Sequence, residues 1–212
     1  MPLEAPIETQ RQSRGAVPGR ISYEEFLLWD GENQHVEWVD GEIVFMSPVS
    51  KIHSDVGLFL AAALREFVMH HQLGHVCQDP FQMKTGPDLP GRAPDIQFIA
   101  KQNAARAKRL YTDGPADLVI EVISPGSRGT DRGDKFYEYE QGGVREYWLI
   151  DPDRQQAEFY RLDENGRYHL VAPDADGRYH AREIPGLWLR VDWLWQQPLP
   201  PLIAVLREWK LI

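Results

Sequence analysis

Three residues, Asp95, Glu121 and Lys135, have the types and spacing to do chemistry together. Asp95 follows Pro94 at the head of the apolar run PDIQFIA (94–100), and Glu121 interrupts a second one, DLVIEVIS (117–124). A stretch so rich in Val and Ile, closed by Pro125 and Gly126, reads as a strand buried on both faces. An ionised carboxylate there is costly to desolvate unless a cation, a proton or several hydrogen-bond donors accompany it. Two carboxylates with no thiol and no paired histidine form a hard oxygen site, suited to Mg²⁺ or Mn²⁺. Lys135 falls one to two turns into the helix expected after the Glu121 strand, within reach of that strand. A lysine beside a metal-bound water can orient the nucleophile or neutralise charge on a phosphorane-like transition state. The trio thus describes a phosphodiester-cleaving site. Each member also has a plainer reading: Asp95 as a strand-start cap, Glu121 as half of a buried ion pair with Arg or Lys, Lys135 as a solvated helix residue.

The elements that must position these residues follow from local signals. Ser22, with Glu25 three residues on, forms a capping box for a helix near 22–30. HVEWVDGEIVFMS (35–47) places Asp-Gly between two alternating apolar runs, a hairpin signal. From Lys51 to His71 apolar residues recur at helical spacing, predicting the longest helix of the chain. Strands are expected at 75–84, 94–100 and 117–124, with a basic loop containing one helical turn between the last two. Ser127 or Thr130 caps a helix to about Gln141, ended by Gly142-Gly143. Strands at 144–151 and 157–162, weaker ones near 167–172 and 178–184, and a terminal helix after a Pro-rich bend complete the order. The pattern is α/β, a mixed central β-sheet flanked by helices, with an N-terminal hairpin and no internal repeat. Residues 1–20 read as a flexible tail and 21–212 as a single domain.

The chain has 212 residues, 42% hydrophobic and 26% charged, which is the make-up of a folding globular protein. No apolar stretch approaches the roughly 20 residues needed to cross a bilayer. The opening residues lack the apolar segment of a signal peptide, and the one cysteine, Cys77, can form no internal disulfide, so a cytoplasmic protein is expected. A net charge of −9 argues against simple nucleic-acid binding by a basic surface, but not against a nuclease, whose metal site carries carboxylates. His71 and His75 lie four apart across a predicted helix end and make a poor zinc pair. SPGSRGTDRGDK lacks phosphate-loop spacing.

Pro94-Asp95, Glu121 in DLVIEVISPGS, Lys135 in DRGDKFYEY and the later GVREYWLIDP, together with EWVDGEIVFMSPVSKIH upstream, resemble the Uma-two family (DUF820) of endonucleases. That family is a branch of the restriction-endonuclease-like PD-(D/E)XK superfamily, and the resemblance covers roughly 21–195. It implies that Asp95 and Glu121, with the backbone carbonyl of Val122, hold a divalent metal and that Lys135 helps activate water. It also implies a further acidic residue from the hairpin, matched by Glu37, with His53 a weaker candidate. The superfamily pattern puts lysine two residues after the glutamate; here that residue is Ile123, so the lysine would be a migrated one on the helix. DNA is the implied substrate and a homodimer the implied assembly. Lys84, Arg92, Lys108 and Arg128 flank the trio in sequence and are candidates for gripping phosphates, or else a solvated charged surface.

The leading expectation is therefore a Mg²⁺- or Mn²⁺-dependent endonuclease. The alternative keeps the nuclease fold without turnover, as a nucleic-acid-binding or protein-interaction module. Hydrolysis of some other phosphodiester is a third possibility.

Overall fold

A computed structural model describes residues 19–29 and 35–212. Most of the expected 1–20 tail and the end of the first helix window fall outside the described residues. Ser22 caps helix α1 (Tyr23–Leu27) through the capping box read from the sequence. Strands β1 (Val36–Val39) and β2 (Glu42–Phe45) then pair across Asp40-Gly41, both at positive φ, as a two-residue hairpin turn requires. Helix α2 (Lys51–His70) follows, its side-chain cap supplied by Ser50.

The strand expected over 75–84 is two strands, β3 (Gly74–Gln78) and β4 (Gln82–Lys84), because the chain turns at Asp79-Pro80 and the pieces enter different sheets. Proline cannot donate to a ladder, so a strand running through it was the less favourable reading. After β5 (Gly91–Arg92), β6 (Ile96–Ala100), a 3₁₀ turn over Lys101–Arg106 and β7 (Tyr111–Asp113) comes β8 (Leu118–Val122), which carries Glu121. The single helix expected after it is broken into α3 (Arg128–Arg132) and α4 (Asp134–Gly142). Gly133 marks the break: a Cβ there would lie 2.7 Å from the Gly129 carbonyl oxygen, so only glycine permits this approach. The remaining strands are β9 (Glu146–Asp151), β10 (Gln156–Leu162), β11 (Tyr168–Leu170), β12 (Arg178–His180) and β13 (Trp188–Arg190), and α5 (Leu202–Glu208) closes the chain.

The central mixed sheet runs β11-β10-β9-β8-β6-β3, with β8 and β9 parallel and the other pairs antiparallel. A second sheet, β2-β1-β5-β4-β7, extends the hairpin by two short strands and one parallel partner, where the sequence suggested a hairpin alone. One face of the central sheet, through Leu118, Ile120, Val122, Trp148 and Ile150, packs against Val56, Leu60, Leu64 and Phe67 of α2. Fully burying each such side chain contributes about 1.5–3 kcal/mol. Trp193 and Trp209 join this core, with the partly buried Trp188 and Trp195 packed against it. The other face, through Val119, Ile123, Tyr147 and Leu149, is covered by Tyr139 of α4 and Met83 of β4. Glu121 lies on the same face as Val119 and Ile123 and so points toward the layer containing α4.

A short turn motif recurs in the C-terminal part of the chain. Residues 163–169 (DENGRYH) and 174–180 (DADGRYH) are the same turn used twice. In each, the aspartate Oδ1 accepts two backbone N–H groups, from Asn165 and Arg167 or from Asp176 and Arg178, and the glycine sits at φ +71° or +72°.

Candidate active site

The antiparallel pairing of β6 with β8, which sets Ile96 opposite Ile120, and the short α3–α4 connection bring both ends of the sequence trio to one place. Lys135, in the first turn of α4, lies two residues past the glycine break, and its ammonium sits 3.1 Å from Glu121 Oε1, 3.4 Å from Glu37 Oε1 and 3.3 Å from Asp131 Oδ1. Its side chain is 2% exposed. The break at Gly133 leaves Asp131 and Lys135 four residues apart on facing turns, so both side chains meet the same space. Tyr139, one turn further on, donates its hydroxyl to Glu121 Oε1 at 2.8 Å. Both the functional and the ion-pair readings of Glu121 therefore use the same lysine.

Glu121 Oε2 faces the Asp95 backbone N–H at 3.4 Å, while Asp95 Oδ2 accepts the Val122 N–H at 2.6 Å. These reciprocal contacts lock the start of β6 to β8. His53, in the first turn of α2, sets its Nε2 3.4 Å from the same Asp95 oxygen. Glu37, on β1, accepts from Arg92 Nη1 at 2.8 Å and from the Ala93 N–H at 3.2 Å. Arg92 turns its other two nitrogens to Glu138 at 2.7 and 2.6 Å.

A cleft of about 310 Å³ opens here, lined by Glu37, His53, Arg92, Asp95, Glu121, Asp131 and Lys135 and by residues of β2 and the segment after it. Four carboxylates, those of Glu37, Glu121, Asp131 and Glu138, share two fixed cations, Arg92 and Lys135, and Asp95 adds a fifth carboxylate beside His53. The imbalance is visible in the protonation energetics. Burial, and then the neighbouring Asp95, Asp131 and Glu37, push the Glu121 carboxyl well above its usual range despite Lys135. Burial also raises Asp131, despite the Lys135 ammonium 3.3 Å from its Oδ1. Burial disfavours charge on Lys135, but Glu121, Glu37 and Asp131 together outweigh it and hold the ammonium charged. Glu37 goes the other way: burial opposes its charge, and Lys135 and Arg92 overcome that to lower it. For His53, burial disfavours the cation while the bond to Asp95 favours it, and the net effect is a rise.

The sequence trio and Glu37 are thus neighbours in one cleft, together with His53. The residues proposed to grip phosphates are not gathered there. Arg92 is 5% exposed and fully engaged by Glu37 and Glu138, so it is an organiser of carboxylates rather than an exposed phosphate contact. Lys84 donates to the Leu89 and Pro87 carbonyls and covers the Trp38 ring at 4.2 Å. Lys108 donates to the Ala105 carbonyl, and Arg128 pairs with the buried Asp151 at 3.2 Å. The cleft lining includes none of these three. Sequence reading missed Asp131 and Tyr139, although both stand four residues from Lys135, the spacing that puts side chains on one helical face.

The model of the Uma2 family, described as "Putative restriction endonuclease", matches residues 23–192. The chain belongs to this family. An uncharacterized protein of Synechocystis is 26% identical over 186 residues, covering 82% of this chain and 90% of that protein. The crystal structure of "a putative nuclease belonging to DUF820" from Anabaena variabilis superposes with a TM-score of 0.67 at 19% identity, covering 82% of this chain and 97% of that one. This likeness shows that the two chains share a fold, a mixed α/β sheet flanked by helices. Among the described residues no helix is long and apolar enough to cross a membrane.

Proposed function

We propose that this Uma2-family protein is a divalent-metal-dependent endonuclease that hydrolyses DNA phosphodiester bonds through Asp95, Glu121 and Lys135. The observation that carries this reading is the excess of carboxylates over cations around one open cleft. A buried anion cluster without compensation is unfavourable, and a divalent cation supplies the missing charge. The donor set fits a hard cation: Asp95 Oδ1 and Glu121 Oε2 accept no close hydrogen bond, and Asp95 remains 23% exposed to the cleft. Asp95 and Glu121 would hold the ion, with the Val122 carbonyl beside them; Mg²⁺ or Mn²⁺ bound there would lower the pKa of a coordinated water and polarise a phosphate oxygen.

The protein's own groups have distinct tasks. Lys135 and Tyr139 both bind Glu121 Oε1, which turns the other oxygen toward Asp95. The Val122 N–H and His53 fix one oxygen of Asp95 in the same way. Lys135 keeps its proton and offers positive charge beside the position where negative charge builds on the phosphate. Glu37, held ionised by Arg92, anchors Lys135 from the hairpin side.

The test is cleavage of supercoiled plasmid and of single-stranded DNA with Mg²⁺ or Mn²⁺, by wild type and by Asp95→Asn and Lys135→Met. The reading expects cleavage by wild type and loss in both folded variants. Equal cleavage by Asp95→Asn and wild type would overturn it. A folded wild type that binds DNA without cutting it would instead favour the inactive module, whose structural support is the Lys135 ion-pair network itself.

A further inference from the structure

The groups around Asp95 and Glu121 supply charge, but hydrolysis also needs a proton for the oxygen that leaves. An alkoxide is a poor leaving group, and a side chain that hands it a proton near neutral pH speeds the step by about 10²- to 10⁴-fold. Most proton carriers of the cleft are committed. Lys135 is held charged by three carboxylates, and Arg92, which keeps its proton, is bound by two. The Tyr139 hydroxyl donates to Glu121, and the buried His53 turns its Nε2 to Asp95.

His35 is the exception. Its carbonyl accepts the Met46 N–H at 2.9 Å, one step beyond the Val36–Phe45 pair, so the hairpin ladder continues through it. His35 and Glu37 are therefore two residues apart on one extended strand and face the same side, and both line the cleft. His35 Nε2 lies 2.6 Å from Asp79 Oδ1, while Nδ1 makes no hydrogen bond among the described residues and the side chain stays 38% exposed. Asp79, at the turn between β3 and β4, donates its backbone N–H to the Asp95 carbonyl at 3.3 Å. The carboxylate that holds His35 is thus anchored to the backbone of Asp95. Among the described residues His35 itself makes no hydrogen bond or ion pair with Asp95 or Glu121, which leaves its second nitrogen for substrate.

We infer that His35, positioned by Asp79, is the general acid of the cleft and protonates the leaving oxygen of the phosphodiester from Nδ1. This rests on the nuclease reading for the phosphate site and adds the proton donor that the reaction needs. As the phosphorus–oxygen bond breaks, its electron pair stays on the leaving oxygen, which takes the Nδ1 proton. The imidazolium becomes a neutral imidazole still held through Nε2–H by Asp79, and it regains a proton from solvent, to which the attacking water has released its own.

The experiment compares single-turnover cleavage in Mn²⁺ by wild type, His35→Gln and Asp79→Asn. One oligonucleotide is used in three forms: all-oxygen, or with sulfur as the 3′- or the 5′-bridging atom of the linkage that is cut. A thiolate is a much weaker base than an alkoxide and departs without a proton. Wild type is expected to cut the all-oxygen form, and His35→Gln to cut it about 10²- to 10⁴-fold more slowly. On the form whose sulfur departs, the two proteins should differ by less than about 5-fold, because the proton is no longer needed. Asp79→Asn should show the same pattern with a smaller loss. A His35→Gln rate equal to wild type on the all-oxygen form overturns the inference. Equal slowing on all three forms also overturns it, since His35 would then act in binding or folding alone. Failure of the nuclease reading has a different signature, no cleavage of any form by folded wild type, and it removes the inference as well.

Discussion

Glu121 and Glu146 are both glutamates in apolar strands, 2% and 0% exposed, on neighbouring strands of the same sheet. Their surroundings differ in kind. Glu146 accepts from the Trp148 indole at 3.0 Å, the Tyr179 hydroxyl at 2.5 Å and the backbone N–H groups of Arg182 and Glu183 at 2.9 and 2.8 Å. Every one of those donors is neutral and fixed, and both carboxylate oxygens are used. Glu146 is a clamp that ties the β12–β13 region to the central sheet. Glu121 has a lysine and a tyrosine on one oxygen, only a long contact on the other, and further carboxylates around it. A buried carboxylate whose donors satisfy it is structural, whereas one surrounded by other anions and left with an open oxygen is poised for a cation.

The comparison is open to attack at each end. Glu146→Ala leaves four buried donors without an acceptor, and should lower the unfolding free energy by about 3–5 kcal/mol, read from the urea midpoint. Cleavage per folded molecule should survive. A loss below about 1 kcal/mol would show that the clamp is not what holds this region. Glu121→Gln should do the reverse. Removing a charge from a crowded anion cluster offsets the weakened bond to Lys135, so stability should shift by no more than about 1 kcal/mol. Activity should fall by more than about 100-fold, beyond the usual cost of losing a supporting residue. If Glu121→Gln unfolds the protein while Glu146→Ala does not, the two roles are exchanged. His53→Gln sharpens the picture on the smallest scale. His53 touches Asp95 but not Glu121, so its loss should cost about 10- to 100-fold in cleavage through mispositioned Asp95, with a matching weakening of metal affinity. Unchanged metal affinity in that variant would remove His53 from the site.

Glu121 and Glu146 also show what a sequence can and cannot carry. Glu121 sits in the middle of DLVIEVIS, where the cost of its burial is plain from the run itself, whereas Glu146 follows Arg145 near the start of VREYWLID and reads as a polar strand end. Nothing local reveals that Glu146 meets Tyr179, 33 residues on. Features decided within a few residues were legible: the Asp40-Gly41 hairpin, the Ser22 capping box, helix α2, and the end of α4 at Gly143 in the left-handed region. Features decided by distant partners were not. Strand β5 is two residues long and exists because β1 and β4 flank it. The basic candidates Arg92 and Arg128 are consumed by Glu138, Glu37 and Asp151, which a count of positive charge cannot foresee. Asp131 was the avoidable omission, since its four-residue offset from Lys135 was in plain view.

The central claim is that the Glu121 cluster is built around a divalent cation and the Glu146 clamp is not. Titration calorimetry of Mn²⁺ into wild type, Asp95→Asn, Glu121→Gln and Glu146→Gln tests it directly. The account predicts saturable binding to wild type and Glu146→Gln, lost or weakened by more than about 100-fold in Asp95→Asn and Glu121→Gln. Absence of binding in folded wild type, or equal binding in all four proteins, would contradict it.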